Sequence, residues 1–504
     1  MSLETSDSGL NQVNLGHLKY LAGLAAQPAG SWNGFYRTPV EGMNFGLRFQ
    51  IAFSGYALFG LARLTPAYRA VYTTGLAALI EKMAHPDTWA YWFRGAARSL
   101  AQAGAETKPA GSLRTALEFT HSRLGLGGAI PLDPCQQGNI QYSAHLASLL
   151  GFYEMLSGDD RFDQEGLTLT AQANGQSFSF KYTHTSLAER IHQQMQDSHF
   201  GGACCEPGRA YAACNNHACI SNLLHDRLHG THLAEVNLRW AEWIKNRMLT
   251  GGMKGGLPLP APNGLLSVAY MPDLHLPIPV SFNLTDAWGL SFMAAWDPDT
   301  ASKIYPRFRK RLKKGPHNSL YLGSVRPNES AEISSVGLNT AFAAVFAREM
   351  GDRATFERLL AWADQQLDSA TGENGECYYQ AKPAAYITAL LALAQALPGG
   401  GGGLRSLLAW QPDFEAPYLA EVSGGVDVTA AEWDGQALKI RLEGTPGAPA
   451  ELKFGNLAFQ PEVIVQGIKV ETNKEGLESD SGEGELTLKL ALPAGATEII
   501  LSQL

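Results

Sequence analysis

The chain has 504 residues, 45% hydrophobic and 17% charged, which is a folding composition with ample apolar side chains for a large core. Its formal net charge is -9 with no Lys/Arg stripe to offset it, which argues against a nucleic-acid-binding surface. No run reaches the roughly 18 consecutive apolar residues that a membrane span needs.

The N-terminal stretch MSLETSDSGLNQ lacks the basic and apolar regions of a signal peptide. The expected compartment is therefore the cytoplasm, where thiols stay reduced; a cropped signal sequence would reopen the periplasm. From there to residue 398 the pattern is helical. At five places an apolar-periodic helix stops at a breaker and a capping residue starts the next: around Pro66, Gly158, Gly230, Pro298 and Gly351. The spacing is too uneven for a strict solenoid. About a dozen helices in antiparallel pairs predict a mainly α fold, an (α/α)6 barrel.

Two insertions interrupt the helices. Residues 167–182 read as a β-hairpin around Asn174-Gly175. Residues 251–280 form a Gly/Pro-rich loop long enough to be functional. The basic run Arg307 to Lys314 reads as the solvated end of a helix. The five glycines Gly399 to Gly403 read as a flexible linker. Beyond them, alternating segments at 437–442, 463–470, 486–492 and 498–501 predict a small sandwich-like all-β domain. The expected division is a catalytic barrel over 1–398, a linker over 399–404 and an all-β accessory domain over 405–504.

Four of the six cysteines, Cys204, Cys205, Cys214 and Cys219, fall in one short stretch with His217. A zinc site of the usual kind pairs cysteines two to four residues apart, twice over, and no CxxC occurs here. His225 and His229 have i,i+4 spacing but read as a solvated or capping face. No metal and no cofactor are therefore expected. Two thiols facing one cavity can instead serve as acid and base. Cys205 sits in the turn GGACCEPG, and Cys214 starts a helix, whose N-terminus lowers a thiol's pKa while an apolar wall raises it. Buried packing thiols are the alternative, and spacing alone leaves both readings open. His145 in an apolar helix, Asp286 at a helix start, Glu206 beside the thiol and Tyr36 in an aromatic loop are further candidates.

Several segments resemble the linalool dehydratase/isomerase family of cofactor-free bacterial hydro-lyases. They are LRFQIAFSGYALFGLA (47–62), the His145 helix, CEPGRAYAACN (205–215), DRLHGT (226–231), YPRF (305–308) and SVGLNTAFAAVFAREMGD (335–352). The specific part is the nine-residue step from CEP to CN. The resemblance implies an (α/α)6 barrel, a lyase acting on a small, mostly apolar unsaturated alcohol, catalytic Cys205, Cys214 and His145, and a pocket aromatic at Tyr36. It also implies a homo-oligomer with sites near subunit interfaces. The chain departs from the pattern: the family's aspartate falls on Gly30, two site tyrosines on Phe49 and Leu284, and a pocket methionine on Gln141. Either Glu41, Glu206 or Asp286 replaces the acid, or the substrate differs. The alternatives are a carbohydrate-active (α/α)6 enzyme, zinc-thiolate in type, and a non-enzymatic binding protein. For the former, the adjacent thiols fit, but the Glu-x-Cys partner is missing and Glu376-Cys377 is only loosely similar.

Overall fold

A computed structural model of the chain describes residues 9–37, 46–89, 91–92, 131–173, 176–249, 265–278, 281–323, 330–457, 461–470, 478–482, 484–493 and 495–502. Glu41 and most of the 251–280 loop lie outside these residues, as does the turn Asn174-Gly175.

Among the described residues, six helices are buried over most of their length: Leu47–Ala62, Ile140–Ser157, Ala212–His229, Asn283–Met293, Ser330–Glu349 and Ala384–Ala396. Five of them are largely apolar, the pattern of helices with protein on every side, while Ala212–His229 buries Asn215, Asn216, His217, Ser221, Asn222 and His225. Each packs on the next in this order, and Ala384–Ala396 packs back on Leu47–Ala62, so the six close a ring. Alternating with them in the chain are Gln12–Ala26, Ala70–Ala84, His184–Asp197, Asn237–Trp243, Pro298–Arg309 and Arg353–Gln366, which keep part of their surface in solvent.

The punctuation read from the sequence builds this alternation. Gly158 and Gly230 end their helices in the left-handed region at φ 69° and 64°, which costs glycine little. Asp297 and Asp352 accept the backbone N–H of Thr300 and Thr355 and so start the next helices. Each turn reverses the chain. The inner helices therefore run parallel and gather their N-termini at one end.

The hairpin forms as Leu167–Ala173 paired with Gln176–Tyr182. After Trp410 the chain makes two antiparallel sheets of five and four strands that share one apolar core, including Leu438, Leu452, Leu488 and Ile499. The 463–470 segment is two strands, Glu462–Val465 and Ile468–Val470, because Gln466 and Gly467 turn at φ 53° and 75°. Backbone bonds from Leu10 to Thr429 and from Ala67 to Ala431 join this region to the helices.

The glycine run is anchored rather than a flexible linker. The amide of Gly402, itself at φ 64°, donates to the Glu349 carbonyl at 2.7 Å, and the Leu404 amide to Glu349 Oε1 at 2.6 Å. A helix, Gly403–Ala409, starts inside the run and packs Leu404 and Leu407 on the helical core. Burial pushes the Glu349 carboxyl up to about 8. The unfolded chain releases this proton at its ordinary lower pKa while the folded chain keeps it. The group's stability contribution is thus full in acid and is lost as pH rises through 8. Glu349→Gln is expected to flatten the fall in melting temperature between about pH 5 and about pH 9, read by thermal denaturation across that range.

Candidate active site

The loop that carries Cys205 is clipped to the starts of two inner helices. Cys205 N–H donates to the Arg209 carbonyl at 2.8 Å, and Arg209 N–H returns to Glu206 at 2.9 Å, closing a tight turn. Asn215 Oδ1 accepts the Ala203 amide at 2.7 Å, and its Nδ2 donates to the Ala203 carbonyl at 2.9 Å. Ile140 N–H donates to the Cys204 carbonyl at 3.1 Å. The result places Cys205 Sγ 2.9 Å from Cys214 Sγ and 3.5 Å from Gln141 Oε1. Both cysteines are buried free thiols.

His145 follows Gln141 by one helical turn on the same face. It is fully buried and neither ring nitrogen has a hydrogen-bond partner. Burial, with a smaller push from Arg48, lowers its pKa to about 3, so the imidazole is neutral at ordinary pH. Its ring lies 4.2 Å from that of His217 and edge-on to Phe49 and Phe53. His217 is differently held. Its Nε2 accepts from Trp288 Nε1 at 2.9 Å, which places its proton on Nδ1, facing Tyr56 Oη at 2.9 Å. His217 is thus a fixed wall, whereas His145 has a lone pair to offer.

Cys214 is in the first turn of its helix, where the dipole favours a thiolate. Burial outweighs this and pushes its pKa well above the ordinary value, with the neighbouring Cys205 adding to the rise. Cys214 is therefore held as a proton donor.

Two residues that sequence reasoning missed complete the site. Arg48 is 5% exposed and sits between the rings of Phe49 and Tyr91, at 4.3 and 4.1 Å. Its Nε has no hydrogen-bond partner, and no carboxylate among the described residues pairs with it. Its charge acts on His145, Cys214 and Tyr386. A lone arginine in an apolar helix was the available signal. The Tyr386 ring stacks on Phe53 at 4.9 Å, and its buried hydroxyl has no partner. Nothing in the sequence marked Tyr386.

The remaining candidates lie as follows. Phe49 stands edge-on to Trp288 at 5.2 Å, beside His145. The backbone of Tyr36 is pinned by Gln50, on the helix that carries Phe49. Leu284 is partly buried and packs on the helical core. Glu206 Oε2 is taken by Arg209 Nη1 and Tyr211 Oη at 3.2 and 3.0 Å, and its side chain is 37% exposed. Asp286 is fully buried. It accepts the amides of Leu265 and Leu266 and the Ser281 hydroxyl and pairs with Arg311, so its carboxylate is occupied by structural partners. Gly30 is exposed, beside His85. Cys219 is buried. Cys204 lines an open cleft of about 360 Å³ whose walls include none of Cys205, Cys214 and His145. No described helix is long and apolar enough to cross a membrane.

The sequence profile of the family described as linalool dehydratase/isomerase matches residues 48–109 and 119–385, well over half of the chain. The chain belongs to this family. The matched span holds Arg48, Gln141, His145, Cys205 and Cys214 and ends one residue before Tyr386. Family membership supports a dehydratase-like role, of the lyase/isomerase kind. Among solved structures, an α-1,6-mannanase of Salegentibacter sp. HEL1_6 is similar at 11% identity and a TM-score of 0.41, covering 79% of this chain and 100% of that one. A β-L-arabinofuranosidase of Geobacillus stearothermophilus T6 gives 13% and 0.34, covering 98% and 76%. The endoglucanase CelQ of Clostridium thermocellum gives 9% and 0.36, covering 98% and 92%. At these scores the likeness carries no argument about what this chain acts on.

Proposed function

We propose that this protein is a cofactor-independent hydro-lyase and isomerase acting on a small, mostly apolar unsaturated alcohol, such as a terpene alkenol, by cysteine and histidine acid–base catalysis. The observation that carries the reading is the 2.9 Å contact of the two buried sulfurs, with the neutral, unpartnered His145 one helical turn from the Gln141 that Cys205 touches. Cys214, protonated by burial, donates to the departing hydroxyl. The C–O bond breaks and water leaves. The adjacent carbon gives up its proton to the Cys205 thiolate or to His145, and the C–H electron pair forms the double bond. Sulfur-to-sulfur contact then offers the proton a direct return path to Cys214. Aromatic walls from Phe49, Phe53 and Trp288 suit an apolar substrate.

The departures from the family pattern fit the same reading. The unpartnered Tyr386 hydroxyl takes the place of the tyrosines missing at Phe49 and Leu284 as the group that polarises the substrate oxygen. The closed ring of six inner helices supports an (α/α)6 barrel as the catalytic unit, and the two sheets after Trp410 support a sandwich-like accessory domain. Leu274, Leu276 and Phe282, large apolar side chains left exposed, support a homo-oligomer.

The test is turnover of a panel of allylic and tertiary alkenols by the purified protein and by Cys205→Ala, Cys214→Ala and Tyr386→Phe. Loss in both cysteine variants and a smaller loss in Tyr386→Phe, with unchanged circular dichroism, are expected. No turnover across the panel, or full activity in both cysteine variants, overturns the reading.

A further inference from the structure

Away from the thiols, four potential ligands converge on one point outside the inner ring. Glu154 comes from the helix that carries His145, and His229 ends the helix that carries Cys214. His184 opens the helix His184–Asp197, and Asp163 belongs to the short helix Arg161–Gln164. One donor atom from each lies within 4.8 Å of all the others. His184 Nδ1 is 3.0 Å from Glu154 Oε2. His229 Nε2 is 3.2 Å from Glu154 Oε1, 3.5 Å from Asp163 Oδ2 and 3.4 Å from His184 Nδ1.

Hydrogen bonding alone serves this arrangement poorly. His184 Nδ1–H donates to Glu154 Oε2, so the single N–H at His229 Nε2 faces two carboxylate oxygens and an N–H, and can satisfy one acceptor well. Two carboxylates meet here, yet among the described residues no lysine or arginine pairs with either. Four ligands at 2.0 to 2.2 Å around a tetrahedral ion lie roughly 3.3 to 3.6 Å apart, and His229 Nε2 stands 3.2 to 3.5 Å from a donor atom of each of the other three. Thr185 holds the Asp163 carboxylate through its amide at 2.7 Å and its hydroxyl at 2.8 Å, the outer-shell support that ligating carboxylates have. His225, the i,i+4 neighbour of His229, stacks on it at 4.4 Å but has its ring nitrogens on Thr231 and Thr185.

We propose that Glu154, Asp163, His184 and His229 bind one divalent transition-metal ion, zinc by donor type and number. The ion is structural. It ties the far ends of the two helices that carry His145 and Cys214 to two elements that lie between them in the chain, so the two helices keep their relative register. This site is independent of the thiol reading.

Metal analysis on the full-length protein tests it, after chelation and back-titration with zinc or cobalt. One equivalent per chain is expected in the wild type and in the Cys205→Ala/Cys214→Ala double variant. The cobalt form is expected to lack a thiolate charge-transfer band. Uptake is expected to fall at least tenfold in affinity in His229→Gln and Glu154→Gln, and re-metallation to raise the melting temperature of the wild type and of the double cysteine variant but not of the two ligand variants. Absence of stoichiometric uptake by the wild type overturns the proposal. So does a cobalt–thiolate band, uptake lost with the cysteines, or full uptake in His229→Gln. The wild-type stoichiometry and spectrum stand even if a ligand variant fails to fold.

Discussion

Combining Cys205→Ala with Cys214→Ala is expected to lower turnover no further than the worse single variant, each single loss being about 10²- to 10⁴-fold. The sulfurs touch at 2.9 Å, and in the proposed cycle a proton that leaves one is returned through the other. Groups that act as such a unit are non-additive, because removing either breaks the same cycle. The measurement is kcat for the four proteins on the best alkenol of the panel, with near-ultraviolet circular dichroism to check folding. If the double variant shows the product of the two single losses, the thiols act independently and the acid–base pair is wrong.

The second large effect concerns stability. Asp286→Ala is expected to destabilise the fold by about 3 to 5 kcal/mol, the range for breaking a buried ion pair. It leaves the Arg311 guanidinium without its buried partner and strips the acceptor from the Leu265 and Leu266 amides. Urea denaturation reads the change as a shift in midpoint at constant slope. An unshifted midpoint together with lost turnover would instead make Asp286 the acid that stands in for the aspartate missing at Gly30.

Much of the helical architecture was legible because its signals are local. Breaker and cap residues at Gly158, Gly230, Pro298 and Gly351 act through their own backbone, so the turns appear where the sequence places them. The hairpin at 167–182 follows for the same reason. The glycine run was misread because Glu349, some fifty residues upstream, supplies the anchors that hold it. The 463–470 segment was misread because Gln466 takes a positive φ that its side chain does not advertise.

By itself the sequence offered Cys205 and Cys214 as the candidate pair through the CEP-to-CN step shared with the family, and the alternation of helices that carries them through local backbone preference. Only the tertiary structure decided the chemistry of each group. A thiol at a helix start is pulled down by the dipole and pushed up by burial, and burial depends on what five other inner helices bring against it. The same packing leaves His145 and Tyr386 unpartnered, occupies Asp286, and isolates Arg48 among aromatic rings. It also draws Glu154, Asp163, His184 and His229 to one point from four separate elements. Desolvation and convergence are properties of the packed core, where distant segments meet, and no single stretch of chain encodes them.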